Sequence, residues 1–190
     1  MKSLTVLVLA AILASTASAG IDPDRDSLGA YFDPGGNQVR INRPLFTPTN
    51  VYLVLMNPSG PTDGFECTVS RTGPMSLLLG DTYPNPTIDI DGSSGGYAVG
   101  AAYPFPANGN AMVLCTMSIM LTAAGAVEFR IGPGTIPSMP GGLPVVTGNN
   151  VLRRCGVSSG DVRLPVAIIN GGSPVATETS TFGAVKSLYR

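Results

Sequence analysis

Glycine and proline cut this chain into apolar runs too short for long helices. There are 24 Gly and 17 Pro among 190 residues. The apolar runs between them are Leu28–Phe32, Val51–Met56, Phe65–Ser70, Met75–Leu79, Thr87–Ile90, Tyr97–Ala102, Met112–Leu121, Val127–Ile131, Leu143–Thr147 and Leu164–Ile169. Turn-forming stretches such as Asp33-Pro34-Gly35-Gly36, Asn57-Pro58-Ser59-Gly60-Pro61 and Gly132-Pro133-Gly134 separate them. Glycine takes the positive φ that tight turns need, and proline fixes φ and cannot donate to a strand ladder. Ten strand-length runs with no helical pattern between them predict an all-β chain, an antiparallel jelly-roll or immunoglobulin-like β-sandwich of nine to ten strands.

Alternation along the runs agrees. In Phe65-Glu66-Cys67-Thr68-Val69-Ser70 the odd positions are apolar and the even ones polar, as in a half-buried strand. In Met112–Leu121 the odd set Val113, Cys115, Met117, Ile119 and Leu121 is wholly apolar. Cys67 and Cys115 are therefore expected to point into the core. The last ten residues, Thr181–Arg190, break the β pattern. Phe182, Val185 and Tyr189 recur at helical spacing with Leu188 beside them, which predicts a short C-terminal helix or a further strand.

Composition removes several function classes. Only 12% of residues are charged, the net charge is −1 and there are two lysines, so a coiled coil and a nucleic-acid surface are both excluded. An apolar content of 44% excludes a disordered tail. With no His, a Ser-His-Asp or Cys-His site cannot be built. Glu66 and Glu128 sit at polar positions of alternating runs and read as solvated carboxylates. No catalytic constellation and no cofactor site emerges.

Residues 1–19, MKSLTVLVLAAILASTASA, read as a signal peptide: Lys2, an apolar run from Leu4 to Leu13, then Ala17-Ser18-Ala19 as a cleavage site. This predicts a secreted protein, extracellular or periplasmic, with no membrane insertion after cleavage. Residues 20–180 form a single sandwich domain in this reading. Residues 181–190 form an apolar segment that is docked on the sandwich or serves as a sorting tag. Export allows disulfides among Cys67, Cys115 and Cys155, and three cysteines leave one thiol over.

Three ligand classes deserve weighing. Calcium is suggested by Asp22-Pro23-Asp24-Arg25-Asp26 and by Asp89-Ile90-Asp91-Gly92, although Ser27 stands where an EF-hand loop needs glycine. Carbohydrate binding is suggested by Tyr83, Tyr97, Tyr103 and Phe105 within one Pro- and Gly-rich stretch, without any Trp. Protein association, with another extracellular protein or a cell-surface polymer, suits low surface charge and several sheet edges. The last ranks first.

Two stretches also resemble a known family. VYLVLMNPSGPTDGFECTVS and YAVGAAYPFPANGNAMVLCTMSIMLTAAGAVEFRIGP resemble successive strands of bacterial cohesin domains. The resemblance implies a nine-stranded jelly-roll sandwich like that of cohesins and related carbohydrate-binding modules. It implies too that the strands at Phe65–Ser70 and Met112–Leu121 lie side by side, which makes Cys67 and Cys115 the candidate disulfide, with Cys155 as the odd thiol in a loop. The whole-chain layout, ending in TFGAVKSLYR, resembles a group of secreted bacterial proteins with no assigned activity.

Overall fold

A computed structural model describes residues 22–171. The expected signal peptide, and the helix or strand expected at residues 181–190, lie outside the described residues. In chain order the strands are β1 (Ser27–Tyr31), β2 (Arg40–Ile41), β3 (Pro48–Met56), β4 (Gly64–Thr72) and β5 (Ser76–Thr82). Then come β6 (Thr87–Asp89), β7 (Gly96–Ala101), β8 (Ala107–Asn108), β9 (Ala111–Leu121) and β10 (Val127–Gly132). The last are β11 (Val145–Gly148), β12 (Val151–Arg154), β13 (Gly156–Val157) and β14 (Ala167–Ile169). All ten apolar runs overlap a strand, and the described residues contain no helix.

The strands form two sheets. One runs β13-β1-β3-β9-β5 with β8 added to β9. The other contains β12, β11, β4, β10, β14 and β2, with β7 on β4 and β6 on β7. Pairing is antiparallel except for the two-residue ladders β1–β13 and β14–β2, which are parallel. The core lies between the sheets. Leu28, Leu53, Leu55, Leu114, Ile119, Phe129, Ile131 and Ile169 are fully buried there. Each such side chain contributes about 1.5–3 kcal/mol relative to exposure.

Two local features depart from the simple pattern. Leu114 and Cys115 both point inward and are fully buried, because a bulge inserts Leu114 where β3 pairs with β9. Alternation in β9 therefore reverses there: Cys115, Met117 and Ile119 face the core, whereas Val113 packs outward against a small cluster of Tyr31, Val54, Met56 and Ala111. The odd-position rule fails at Val113 for that reason. The second departure concerns neighbours. β4 and β9 belong to opposite sheets, so the strands of Cys67 and Cys115 face each other across the core and are not side by side.

Candidate functional site

β4 organises the outer face of the second sheet. Thr68 is paired with Gly96 on one side and with Gly132 on the other, so β7 runs along one edge of β4 while β10 and β11 share the opposite edge. β10 stops opposite Thr68 and β11 starts opposite Glu66. The two are one strand position interrupted by residues 133–144. That excursion folds over the sheet and is fastened to it. Ser138 donates from its backbone N to Glu66 Oε1 at 2.8 Å and from Oγ to Oε2 at 2.6 Å. Thr135 Oγ1 lies 3.1 Å from Ser93 Oγ. Glu66 is thus a clasp, and not the solvated carboxylate its alternation predicts.

Beside the clasp, register creates a depression. Ile88, Gly100, Gly64, Thr147 and Leu152 are successive cross-strand partners on β6, β7, β4, β11 and β12. Side chains in one cross-strand row share one face of a sheet. Nothing lies within 4 Å of where a Cβ on Gly100 would stand. On Gly64 a Cβ would meet Thr147 Cγ2 at 2.7 Å and the Val99 carbonyl oxygen at 2.8 Å. Glycine there lets the threonine lie flat. The result is a trough floored by Gly100, with Thr147 laid over Gly64, and with apolar ends. A cavity of about 230 Å³ lies over its Gly100, Thr147 and Leu152, and an adjoining one of about 450 Å³ lies beside the row against Gly134, Thr135 and Ile136 of the excursion; Glu66, Ile90, Ala98 and Ser138 line both. Ile90 and Ile136 stand at its rim with exposures of 81% and 88%, while Leu152 at the far end is 46% exposed.

The aromatic residues do not form an exposed strip. Tyr97 and Phe105 are buried, each with its ring 6.0 Å from that of Phe65. Tyr83 is half-buried and only Tyr103 of the three candidate tyrosines is well exposed. Packing against the core won over display to solvent. What the fold does assemble is a polar cluster at the sandwich edge. Tyr97 OH donates to Asp81 Oδ2 at 3.2 Å, and Tyr83 OH donates to Asp89 Oδ2 at 3.3 Å. Burial holds the Asp81 carboxyl above the usual carboxylate range, against the Tyr97 hydrogen bond that favours its charge; nearby Asp89 raises it further. Burial likewise raises both tyrosine hydroxyls, which stay donors.

Asp81 was not visible in the apolar pattern, because the run Met75–Leu79 ends before it whereas β5 continues to Thr82. It pairs with inward-facing Met117, and the β5 register shifts between Leu78 and Gly80. An inward acid and a bulge are both devices that discourage strand addition at an edge. They blunt β5 despite the exposed Leu77 and Leu79.

The acidic motifs are tied up locally. Asp22 Oδ1 accepts from Asp24 N at 3.0 Å, Asp89 Oδ1 accepts from Asp91 N and Ala98 N, and Asp91 Oδ1 accepts from Ser93 N. Asp26 accepts from Ser59 N at 2.9 Å and from Ser59 Oγ, with Arg153 Nε 3.5 Å from its Oδ2. Among the described residues no three acidic or thiol side chains converge on a metal position. The arm itself is not loose. Asp22 is 5% exposed, and Asn57 Nδ2 donates to the carbonyls of Asp22 and Asp24. The Asn57 amide, just past β3, ties the arm ahead of β1 to the sandwich.

Cys67 and Cys115 point inward as expected, and Cys155, in the connection between β12 and β13 as expected, is equally buried. All three are free thiols in this structure. Burial raises each of them, Cys155 to about 12.

The chain matches no known family profile and no curated protein. Among solved structures it is similar to the cohesin module of a family 33 glycoside hydrolase from Clostridium perfringens. That match has 8% identity and a TM-score of 0.46, over 68% of this chain and 90% of that one. It is also similar to a complex of CaCohA2 with a CaDoc0917 variant at pH 5.5. Here identity is 12% and the TM-score 0.49, over 78% of this chain and 99% of that one.

Proposed function

We propose that this chain is an exported, non-enzymatic β-sandwich that binds another protein through the trough on its second sheet. The observation that carries the reading is the row Ile88, Gly100, Gly64, Thr147 and Leu152, a depression with open space above Gly100 and well-exposed isoleucines at its rim. Large apolar groups held in water around a concavity mark association sites, because burying them recovers about 25 cal/mol per Å². Buried polar and titratable groups serve the fold elsewhere: Asp26 holds Ser59, and Asp81 accepts from Tyr97. The edge β5 is blunted, which favours binding on a face over strand addition. Export rests on the signal-like residues 1–19.

The partner's contact segment is therefore apolar, seated across the strands. The test is selection of displayed peptides on the full chain. Enrichment of apolar sequences whose binding disappears in the double variant Ile90→Asp, Ile136→Asp supports the reading. Enrichment that survives this variant contradicts it.

A further inference from the structure

We propose that a sodium ion is held where the arm ahead of β1 meets the first sheet, by the Asp22 carboxylate and the hydroxyls of Ser27, Tyr31 and Ser158. β1 belongs to the first sheet and the trough to the second, so this site stands apart from the binding surface.

The starting observation is a concentration of orphaned polar atoms. Among the described residues, six buried side-chain nitrogens and oxygens have no hydrogen-bond partner, and four of them are Asp22 Oδ2, Ser27 Oγ, Tyr31 OH and Ser158 Oγ. Asp22, Ser27 and Tyr31 are at most 5% exposed. Buried polar groups are nearly always satisfied, and those that are not call for water or an ion.

Register explains why the four gather. Ser27, Gly29 and Tyr31 are alternate residues of β1 and share one face of the sheet, while Leu28 and Ala30 take the core face. β13 runs parallel beside β1, with Ser27 opposite Gly156 and Leu28 opposite Val157. Val157 is in the core, so Ser158 turns outward beside Gly29, and its backbone N donates to the Leu28 carbonyl at 3.0 Å. Gly29 supplies the room. A Cβ there would stand 2.5 Å from Tyr31 Cε2, 2.6 Å from Tyr31 OH and 2.7 Å from Ser158 Oγ. The Tyr31 ring is therefore laid back along its own strand, and its hydroxyl and that of Ser158 face one point above Gly29. Asp22 comes from the arm that Asn57 pins. Its Oδ1 accepts from Asp24 N at 3.0 Å, which leaves Oδ2 for the site. Burial, and next the charge of Asp22, raise the Tyr31 hydroxyl, which stays protonated and offers its lone pairs.

Charge chooses the occupant. Water satisfies hydroxyls, but it leaves a buried carboxylate without a counter-charge, which is costly. Among the described residues the ion pairs are Arg130–Glu128, Arg153–Asp26 and Arg163–Asp161, and none involves Asp22. A donor set made only of oxygen selects a hard cation. A single carboxylate balances a single positive charge, so the ion is monovalent. Calcium, which the sequence of the arm suggests, draws on several carboxylates. Here Asp24 is exposed and Asp26 is engaged by Ser59 and Arg153. The ion ties the arm to β1 and to β13, whose own ladder is two residues long.

The test is thermal melting of the full chain as choline chloride is exchanged for sodium chloride at fixed ionic strength. An ion that binds only the folded state raises the melting temperature with its concentration. The parent's Tm should climb with sodium. Asp22→Asn keeps an acceptor for Asp24 N and removes the charge, and its Tm should stay flat. Tyr31→Phe keeps the ring over Gly29 and should lose most of the sodium response, which separates loss of a ligand from loosening of the arm. Sodium NMR linewidths, broadened by the parent and by neither variant, report the ion itself. A parent Tm that ignores the exchange overturns the inference, as does a sodium response of parental size in both variants. Stabilisation by calcium chloride with none by sodium chloride overturns the monovalent assignment.

Discussion

Ser138 is held to Glu66 by two hydrogen bonds, at 2.8 and 2.6 Å, across 72 residues of sequence. This pair fastens residues 133–144 over the sheet, and both residues line the two adjoining cavities. Glu66→Ala removes both acceptors. The contact is partly exposed, so the expected loss of stability is about 1–2 kcal/mol. Amide exchange at residues 134–140 should rise well above that of β10 and β11. Equal exchange in variant and parent would show that the clasp does not hold the excursion.

Asp26 and Arg153 form the best-shielded ion pair among the described residues, and Asp26 also sits at φ 48°, a left-handed position. Asp26→Ala leaves Arg153 without its carboxylate and puts Ala where side chains are strained. The expected loss is about 3 kcal/mol, or roughly 6–12 °C in Tm for a chain of this size. Asp26→Asn should lose less, because Asn tolerates the left-handed region and still accepts from Ser59 N.

Asp81 predicts a pH signature. Its folded pKa is raised, so the folded state binds its proton more tightly than the unfolded chain does. Linkage then makes its contribution favourable below the unfolded value, near 3.8, and lost as pH rises through the folded one. Asp81→Asn keeps an acceptor for Tyr97 OH without the charge. The variant should melt higher than the parent at pH 7, with the gap closing toward pH 4. A constant gap would remove the charge from the explanation.

The thiols offer a check on the core. Cys67, Cys115 and Cys155 are buried and their pKa values raised, so neither exposure nor thiolate favours reaction. Alkylation of native protein at pH 8 should be negligible, and without reductant in denaturant all three should alkylate. Only one alkylated cysteine in denaturant would establish a bridge between the other two.

Legibility in the sequence followed the range of each interaction. Apolar runs such as Val127–Ile131 reveal their strands because burial pattern is local. The short β2, β8, β12 and β13 escape notice because backbone pairing, and no apolar alternation, defines them; half of β12 is Arg153 and Arg154. The inversion at Leu114 is invisible because a bulge depends on the partner strand. The trough was equally hidden. Gly100 and Gly64 are 36 residues apart and meet only through register. Glycines inside otherwise alternating strands were the available signal, since they mark weak packing or close approach. The tyrosines misled because sequence proximity says nothing about which face a ring takes, and Tyr97 turned inward opposite Cys67 on the strand beside it.

The central claim is that the trough on the second sheet receives an apolar protein segment. The most direct measurement is amide chemical-shift mapping of the full chain titrated with a selected apolar peptide. The account predicts perturbations concentrated at Gly64, Ala98, Gly100, Thr147 and Leu152, with β1 and β3 unmoved. Perturbations centred on β5 and the outer face of β9, with the trough silent, would contradict it.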